Sequence, residues 1–167
     1  MTKKGLVAPY SINQKKGNQN WEELFAKALD LHQRGITGDK KASQEAHEIL
    51  LEIHKMVPKE ALVEAYLGSA ILLQGRYAVN PDEKLKKANE GLKIIDRAVI
   101  RDRNNIKIRI LRAYICLNLP RDVFDRRKTA AEDFKYLLSR YDKDPSVFSA
   151  EFHQQLRRDL EAVQPRV

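Results

Sequence analysis

The chain has 167 residues, of which 43% are hydrophobic and 32% charged, and it carries a net charge of +8 with a single cysteine, Cys116. This length suits one domain, and the composition excludes a disordered chain, a disulfide framework and a membrane span of about 20 apolar residues. We therefore expect a cytoplasmic protein with no membrane partner.

The positive charge is concentrated in two regions. Residues 1–20 carry four lysines and no acidic residue, and residues 101–128 carry nine basic and three acidic residues. The rest of the chain is nearly neutral. We interpret residues 1–18 as a flexible basic tail, and the second region as a basic surface of the folded domain.

Apolar residues recur every three or four positions from Trp21 onward, with no sustained alternation, which predicts helices and no strands. Pro58, Pro81, Pro120 and Pro145 fall between the apolar segments, where helices end. The sequence therefore predicts an all-α domain over residues 19–163. In chain order, the seven predicted helices include Trp21, Ala42, Ala61, Leu85, Ile106, Phe134 and Phe148.

The predicted helices form pairs that repeat. Three triads share a 0,+4,+7 spacing and follow one another at 42 residues, namely Ala46-Leu50-Ile53, Ala88-Leu92-Ile95 and Ala130-Phe134-Leu137. A period of this size is typical of helical hairpins that bury their apolar faces by stacking. We predict three stacked antiparallel hairpins at roughly residues 19–57, 58–103 and 104–144, followed by a closing helix at 146–163.

These triads, together with Ala65-Tyr66-Leu67-Gly68 and the opening Trp21 and Leu24, resemble the tetratricopeptide repeat (TPR) family over residues 19–145. The period exceeds the usual ~34 residues, and a Sel1-like or HEAT-like helical array fits it about as well. The resemblance implies a right-handed superhelix. It also implies that the first helix of each hairpin lines a concave groove that binds a partner segment.

The TPR resemblance directs attention to the residues that would line this groove. The predicted peptide-binding residues are Tyr66, Ser69, Arg109, Arg112 and Ala113. The positions at which some TPR proteins clamp a chaperone's C-terminal carboxylate hold Glu22, Ala26, Tyr66, Ile106 and Ile110 here. These side chains disfavour the clamp, so an apolar groove with a basic rim is expected instead, which suits an amphipathic helix or an acidic extended segment.

Arg109 and Arg112 lie three residues apart on a largely apolar helix, and two interpretations of them remain open. One is internal pairing, because buried guanidinium groups require acidic partners. The candidate partners are Glu64, Asp96 and Asp133. The other is an anion-binding spot on the concave surface, where arginine can hold a carboxylate through two hydrogen bonds.

No catalytic, metal-binding or cofactor-binding pattern is found, and we expect a noncatalytic protein. His47 and His54 share a helix face but lack a third ligand, and Cys116 lies in an apolar context typical of a buried small side chain. The sequence therefore favours a scaffold or adaptor that binds another protein.

Two alternatives concern other partners. The basic run that contains Arg121, Arg126, Arg127 and Lys128 could bind nucleic acid, RNA in particular, by contacting phosphates. The apolar stripe of the last helix, which starts at Phe148, could either cap the third hairpin or face a second copy of the chain in a homodimer.

Overall fold

The structure, a computed structural model, describes residues 19–164, and the predicted 1–18 tail lies outside the described residues. Residues 19–164 form seven α-helices and no strand. The helices are α1 (Gln19–Ile36), α2 (Lys40–Met56), α3 (Ala61–Tyr77), α4 (Pro81–Arg101), α5 (Ile106–Asn118), α6 (Arg127–Lys143) and α7 (Ala150–Val163), and a 3-10 turn (Pro145–Val147) precedes α7. The predicted all-α class is confirmed.

Short polar side chains start several of these helices. Asp39 accepts a hydrogen bond from the Ala42 amide at the start of α2, and Asn105 does the same for the first turn of α5. Ser149 accepts from the amide of Phe152 in α7. Each cap satisfies amides that have no partner inside the helix, so these helices begin where the sequence places Asp, Asn or Ser.

The described residues divide into two compact units within α4, one ending at Ile94 and the other starting at Ile95. In the first unit α1 packs on α2, and α2 packs on α3. The triad Ala46, Leu50 and Ile53 is completely buried there. Helix α3 is buried on most sides, because most of its side chains are apolar.

The backbones of α3 and α4 approach each other closely at glycines of the first unit. A Cβ atom on Gly91 would lie 2.5 Å from the carbonyl oxygen of Gly68 and 2.7 Å from Cγ of Leu72. One on Gly75 would lie 3.0 Å from Cβ of Lys87. Only glycine permits this spacing at position 91 without movement of the backbone.

In the second unit α5 packs on α6, and α6 packs on α7. The third triad, Ala130, Phe134 and Leu137, is completely buried. Helix α7 is held by a hydrogen bond of 2.6 Å from the Tyr114 hydroxyl to Asp159 Oδ2. The closing helix therefore packs on the last hairpin of its own chain.

None of the helices in residues 19–164 combines the length and apolar character that crossing a bilayer requires. The longest, α4, has 21 residues and carries charged residues along its length.

Candidate functional site

The five residues predicted to bind a peptide occur on two helices. Tyr66 and Ser69 lie on α3 in the first unit, whereas Arg109, Arg112 and Ala113 lie on α5 in the second. The five residues therefore lie in two local environments, one in each unit.

Ser69 lies in the interior of the first unit. It is buried, and its Oγ atom is 2.9 Å from Nε2 of the buried His32 on α1. The half-buried Tyr66 ring makes edge-to-face contacts with Phe25 and His32, with centroid distances of 5.6 and 5.7 Å. Burial lowers the pKa of His32 to about 4 and raises the pKa of Tyr66. Both groups are therefore uncharged at neutral pH.

Polar side chains of α3 also hold the end of α1. The Tyr77 hydroxyl donates to the Gly35 carbonyl at 2.6 Å, and Arg76 Nη1 donates to the Ile36 carbonyl at 3.0 Å. These carbonyls belong to the last turn of α1, where the helix itself provides no amide partner. The polar residues of α3 therefore fix its position against α1.

Arg109 and Arg112 belong to an arginine–aspartate network in the second unit. The network consists of Asp96 on α4, Arg109 and Arg112 on α5, Arg126 before α6, and Asp133 on α6. Asp133 is 0% exposed. Its oxygens accept from Arg112 Nε at 2.7 Å, Arg112 Nη2 at 2.9 Å and Arg109 Nη1 at 2.7 Å. Its negative charge is thus matched by two guanidinium groups.

The remaining donors of Arg109 are also engaged. Its Nε and Nη2 atoms donate to the carbonyl of Arg103 at 3.2 and 3.1 Å, and its guanidinium lies 4.6 Å from the centre of the Tyr136 ring. Arg109 of α5 therefore connects Asp133 of α6 with the Arg103 carbonyl in the turn that precedes α5. A cation over an aromatic face adds to this attachment.

Asp96 connects the network to the surface. It accepts from Arg112 Nη1 at 3.0 Å, and from Arg126 Nη2 at 2.7 and 2.8 Å through both oxygens. The side chains of Asp96 and Arg126 are 32% and 26% exposed. Burial disfavours the charge of Arg112, but the hydrogen bonds and charges of Asp133 and Asp96 outweigh it and raise the pKa of Arg112.

The internal pairing that the sequence left open for Arg109 and Arg112 is present in the structure. The partners are Asp96 and Asp133 of the three candidates that the sequence suggested. Ala113 is completely buried beside them. Peptide binding by these residues remains a prediction, and those that are partly exposed are Tyr66 in the first unit and Arg109 in the second.

Of the basic residues that were predicted to contact nucleic acid, some are paired with acidic residues of the chain and others are exposed. Arg126 belongs to the arginine–aspartate network, and Arg127 forms a two-pronged pair with Asp125, at 2.8 Å for each contact. The Arg127 hydrogen bond lowers the pKa of Asp125 to about 2. Arg121 and Lys128 are exposed. The run is therefore a mixture of internally paired and exposed charges.

Two large apolar side chains of the second unit are exposed. Ile100, one turn after Asp96 on α4, is 64% exposed, and Val123, three residues before Arg126, is 59% exposed. Sequence reasoning missed the ion pair between Asp96 and Arg126, because Arg126 was interpreted only as part of a basic run.

Among residues 19–164, no group of three His, Cys, Asp or Glu side chains is arranged to hold a metal ion. The chain matches no protein-family model, and comparisons with curated proteins and with solved structures likewise found no match.

Proposed function

We propose that this protein is a noncatalytic, TPR-like interaction module that binds a segment of a partner protein. The paired helices with buried triads support a helical-repeat architecture. The observation that carries the functional proposal is this packing of consecutive helices, because arrays of helical hairpins present extended surfaces that bind partners. Two large apolar side chains of the second unit, Ile100 and Val123, are also exposed.

The experiment that tests this proposal is affinity capture from the native lysate after nuclease treatment, at about 0.1 M and about 1 M salt. A captured protein is then purified, and its binding to the full chain is measured by calorimetry. We expect one discrete partner that is retained at both salt concentrations, because apolar contacts are not screened. Failure of every captured protein to bind the purified chain would contradict the proposal.

Nucleic-acid binding is the second candidate, favoured by the exposure of Arg121 and Lys128. Binding through phosphates weakens steeply with rising salt, because counterions are released on association. Recovery of RNA at about 0.1 M but not at about 1 M salt, in a capture without nuclease, would support this candidate over protein binding.

A further inference from the structure

We propose that the turn between α4 and α5 is a binding site for single-stranded nucleic acid, where it contacts the phosphates and an unstacked base of the strand. The inference goes beyond protein binding, and it places the contact at a site other than the exposed Arg121 and Lys128. Four residues that contact one another form the site. We call it the Arg103 surface, and it consists of Arg103, Asn104, Arg109 and Tyr136.

Direct contacts hold the four residues of the Arg103 surface together. Arg109 Nε and Nη2 donate to the Arg103 carbonyl at 3.2 and 3.1 Å, and the Arg109 guanidinium lies 4.6 Å from the centre of the Tyr136 ring. The Tyr136 hydroxyl donates to Asn104 Oδ1 at 3.3 Å. Arg103 and Asn104 are exposed, and Tyr136 is half-buried. The surface therefore presents a guanidinium group, an amide and part of an aromatic ring to solvent.

The arginine–aspartate network leaves its excess positive charge at this surface. Three guanidinium groups share two carboxylates, and Asp96 holds Arg126 through both of its oxygens. Asp133 accepts two hydrogen bonds from Arg112 and one from Arg109. The Nε and Nη2 atoms of Arg109 donate to a neutral carbonyl instead. The charge of Arg109 is thus the least matched of the three, and it lies beside the turn.

The acidic side chains near the Arg103 surface do not cancel its charge. Residues 101–109 contain one acidic residue, Asp102, and four basic residues, namely Arg101, Arg103, Lys107 and Arg109. The Asp102 carboxylate accepts a hydrogen bond of 2.9 Å from the side chain of Asn105. Glu132, one turn before Tyr136 on α6, is exposed. Positive charges exceed negative ones even with both acids counted, so the surface favours an anionic partner.

A single nucleic-acid strand uses all the groups of this surface. An arginine such as Arg103 can hold a phosphate through two parallel hydrogen bonds. Unstacked bases stack on aromatic rings and on guanidinium planes, as Tyr136 and Arg109 offer here, and their edges hydrogen-bond to amides such as that of Asn104. An acidic protein segment would use the positive charge alone. The combination of groups therefore selects nucleic acid.

The backbone of the turn is ordered before any strand binds. The Asp102 amide donates to the Ala98 carbonyl at 3.0 Å, and the Asn105 amide donates to the Asp102 carbonyl at 3.2 Å. The guanidinium of Arg109 fixes the next carbonyl, that of Arg103. A surface that is ordered beforehand loses little conformational entropy on binding.

The test measures binding of the full-length chain to a fluorescently labelled single-stranded RNA of about 12 nucleotides, by anisotropy over a series of salt concentrations. Arg101→Gln with Arg103→Gln removes two exposed charges at the turn. Arg121→Gln with Lys128→Gln removes two exposed charges in and after the loop that precedes α6. We expect the first variant to bind about tenfold more weakly at about 0.1 M salt, with a slope of log affinity against log salt reduced by about 1.4. The second should weaken binding about threefold at most, because its charges attract the strand without contacting it.

Two further measurements separate contact from folding and bases from charge. Arg101→Lys with Arg103→Lys keeps both charges and should retain the salt slope of the unmodified chain. The RNA should bind at least about tenfold more tightly than a peptide of about 12 glutamates, which carries the charge but no bases. Titration with RNA should shift the amide signals of residues 101–109 and the ring signals of Tyr136.

Three outcomes would overturn the inference, namely equal effects of the two glutamine variants, shift changes centred outside the turn, or loss of the salt slope in the lysine variant. Binding of the glutamate peptide as tight as that of the RNA would assign the surface to an acidic protein segment instead. Absence of RNA binding at about 0.1 M salt would refute the inference and leave the protein-binding proposal standing, since that proposal is tested by a partner retained at about 1 M salt.

Discussion

Asp133 is completely buried in the second unit, and its carboxylate forms ion pairs with Arg109 and Arg112. A buried carboxylate is tolerated only when donors surround it, and here Arg109 and Arg112 supply three hydrogen bonds. The arrangement indicates that the two arginines have a structural role whatever else they do.

Replacing Arg112 with methionine should therefore destabilise the protein strongly. The substitution keeps the apolar stem but leaves Asp133 with Arg109 alone, which should cost about 3 kcal/mol of unfolding free energy. Urea denaturation followed by circular dichroism measures this. Arg127→Met is the matched control, because the Arg127–Asp125 pair lies at the surface and its loss should change little. Equal stability of the two variants would show that the network is not required for folding.

His32 should make stability depend on pH. Its pKa is about 4 in the folded chain and about 6.5 when unfolded, so the unfolded state binds more protons between these values. The contribution of neutral His32 is thus complete above pH 6.5 and is lost as the pH falls, reaching a loss of about 3 kcal/mol near pH 4. The difference in unfolding free energy between the wild type and His32→Gln, measured across this range, isolates the effect. A difference that does not vary with pH would contradict it.

At the scale of the elements, the close approach of α3 and α4 makes a specific prediction. Alanine normally stabilises a helix by about 1 kcal/mol relative to glycine. At position 91, however, its Cβ would lie 2.5 Å from a backbone oxygen, so we expect Gly91→Ala to lower the melting temperature. Asn89→Ala, at an exposed position two residues earlier, should be neutral or slightly stabilising. A stabilised Gly91→Ala protein would disprove this helix contact.

The helices were predictable because their buried apolar side chains recur every three or four residues along the sequence. The triads Ala46-Leu50-Ile53 and Ala130-Phe134-Leu137 were identified by spacing alone, and all six residues are completely buried. Leu85 was predicted on the apolar stripe of α4 but is exposed, although the same turn of α4 approaches Gly75 of α3 closely. Periodicity identifies the apolar face of a helix, but not how far a neighbouring helix covers it.

The polar contacts were only partly predictable, since they join residues that are distant in sequence. Asp96 and Asp133 could be named as candidates because buried arginines need acids. The Arg126–Asp96 contact, across 30 residues, depends on the path of the loop before α6 and has no sequence signal. The buried His32 did have one, because it continues the apolar stripe of Phe25 and Ala28 on α1.

At the scale of the whole molecule, the net charge of +8 predicts a weak, salt-sensitive attraction to polyanions. Deleting residues 1–18 removes four lysines and no acidic residue, which lowers the net charge from +8 to about +4. We expect a smaller slope of log affinity against log salt for a single-stranded RNA. Replacing the four lysines with glutamine in the full chain is the control for charge alone. An unaltered slope would locate the RNA contacts in residues 19–167.

Cys116 is buried beside Arg112 and Arg126, so the rate at which its thiol is labelled measures local opening of the second unit. It is the only thiol in the chain, it is nearly inaccessible, and burial raises its pKa, so a thiol reagent can react only when the surrounding helices separate. The labelling rate in native buffer therefore reports how often α5 loses contact with its neighbours. A ligand that binds and stabilises the folded second unit should slow that labelling without touching the sulfur.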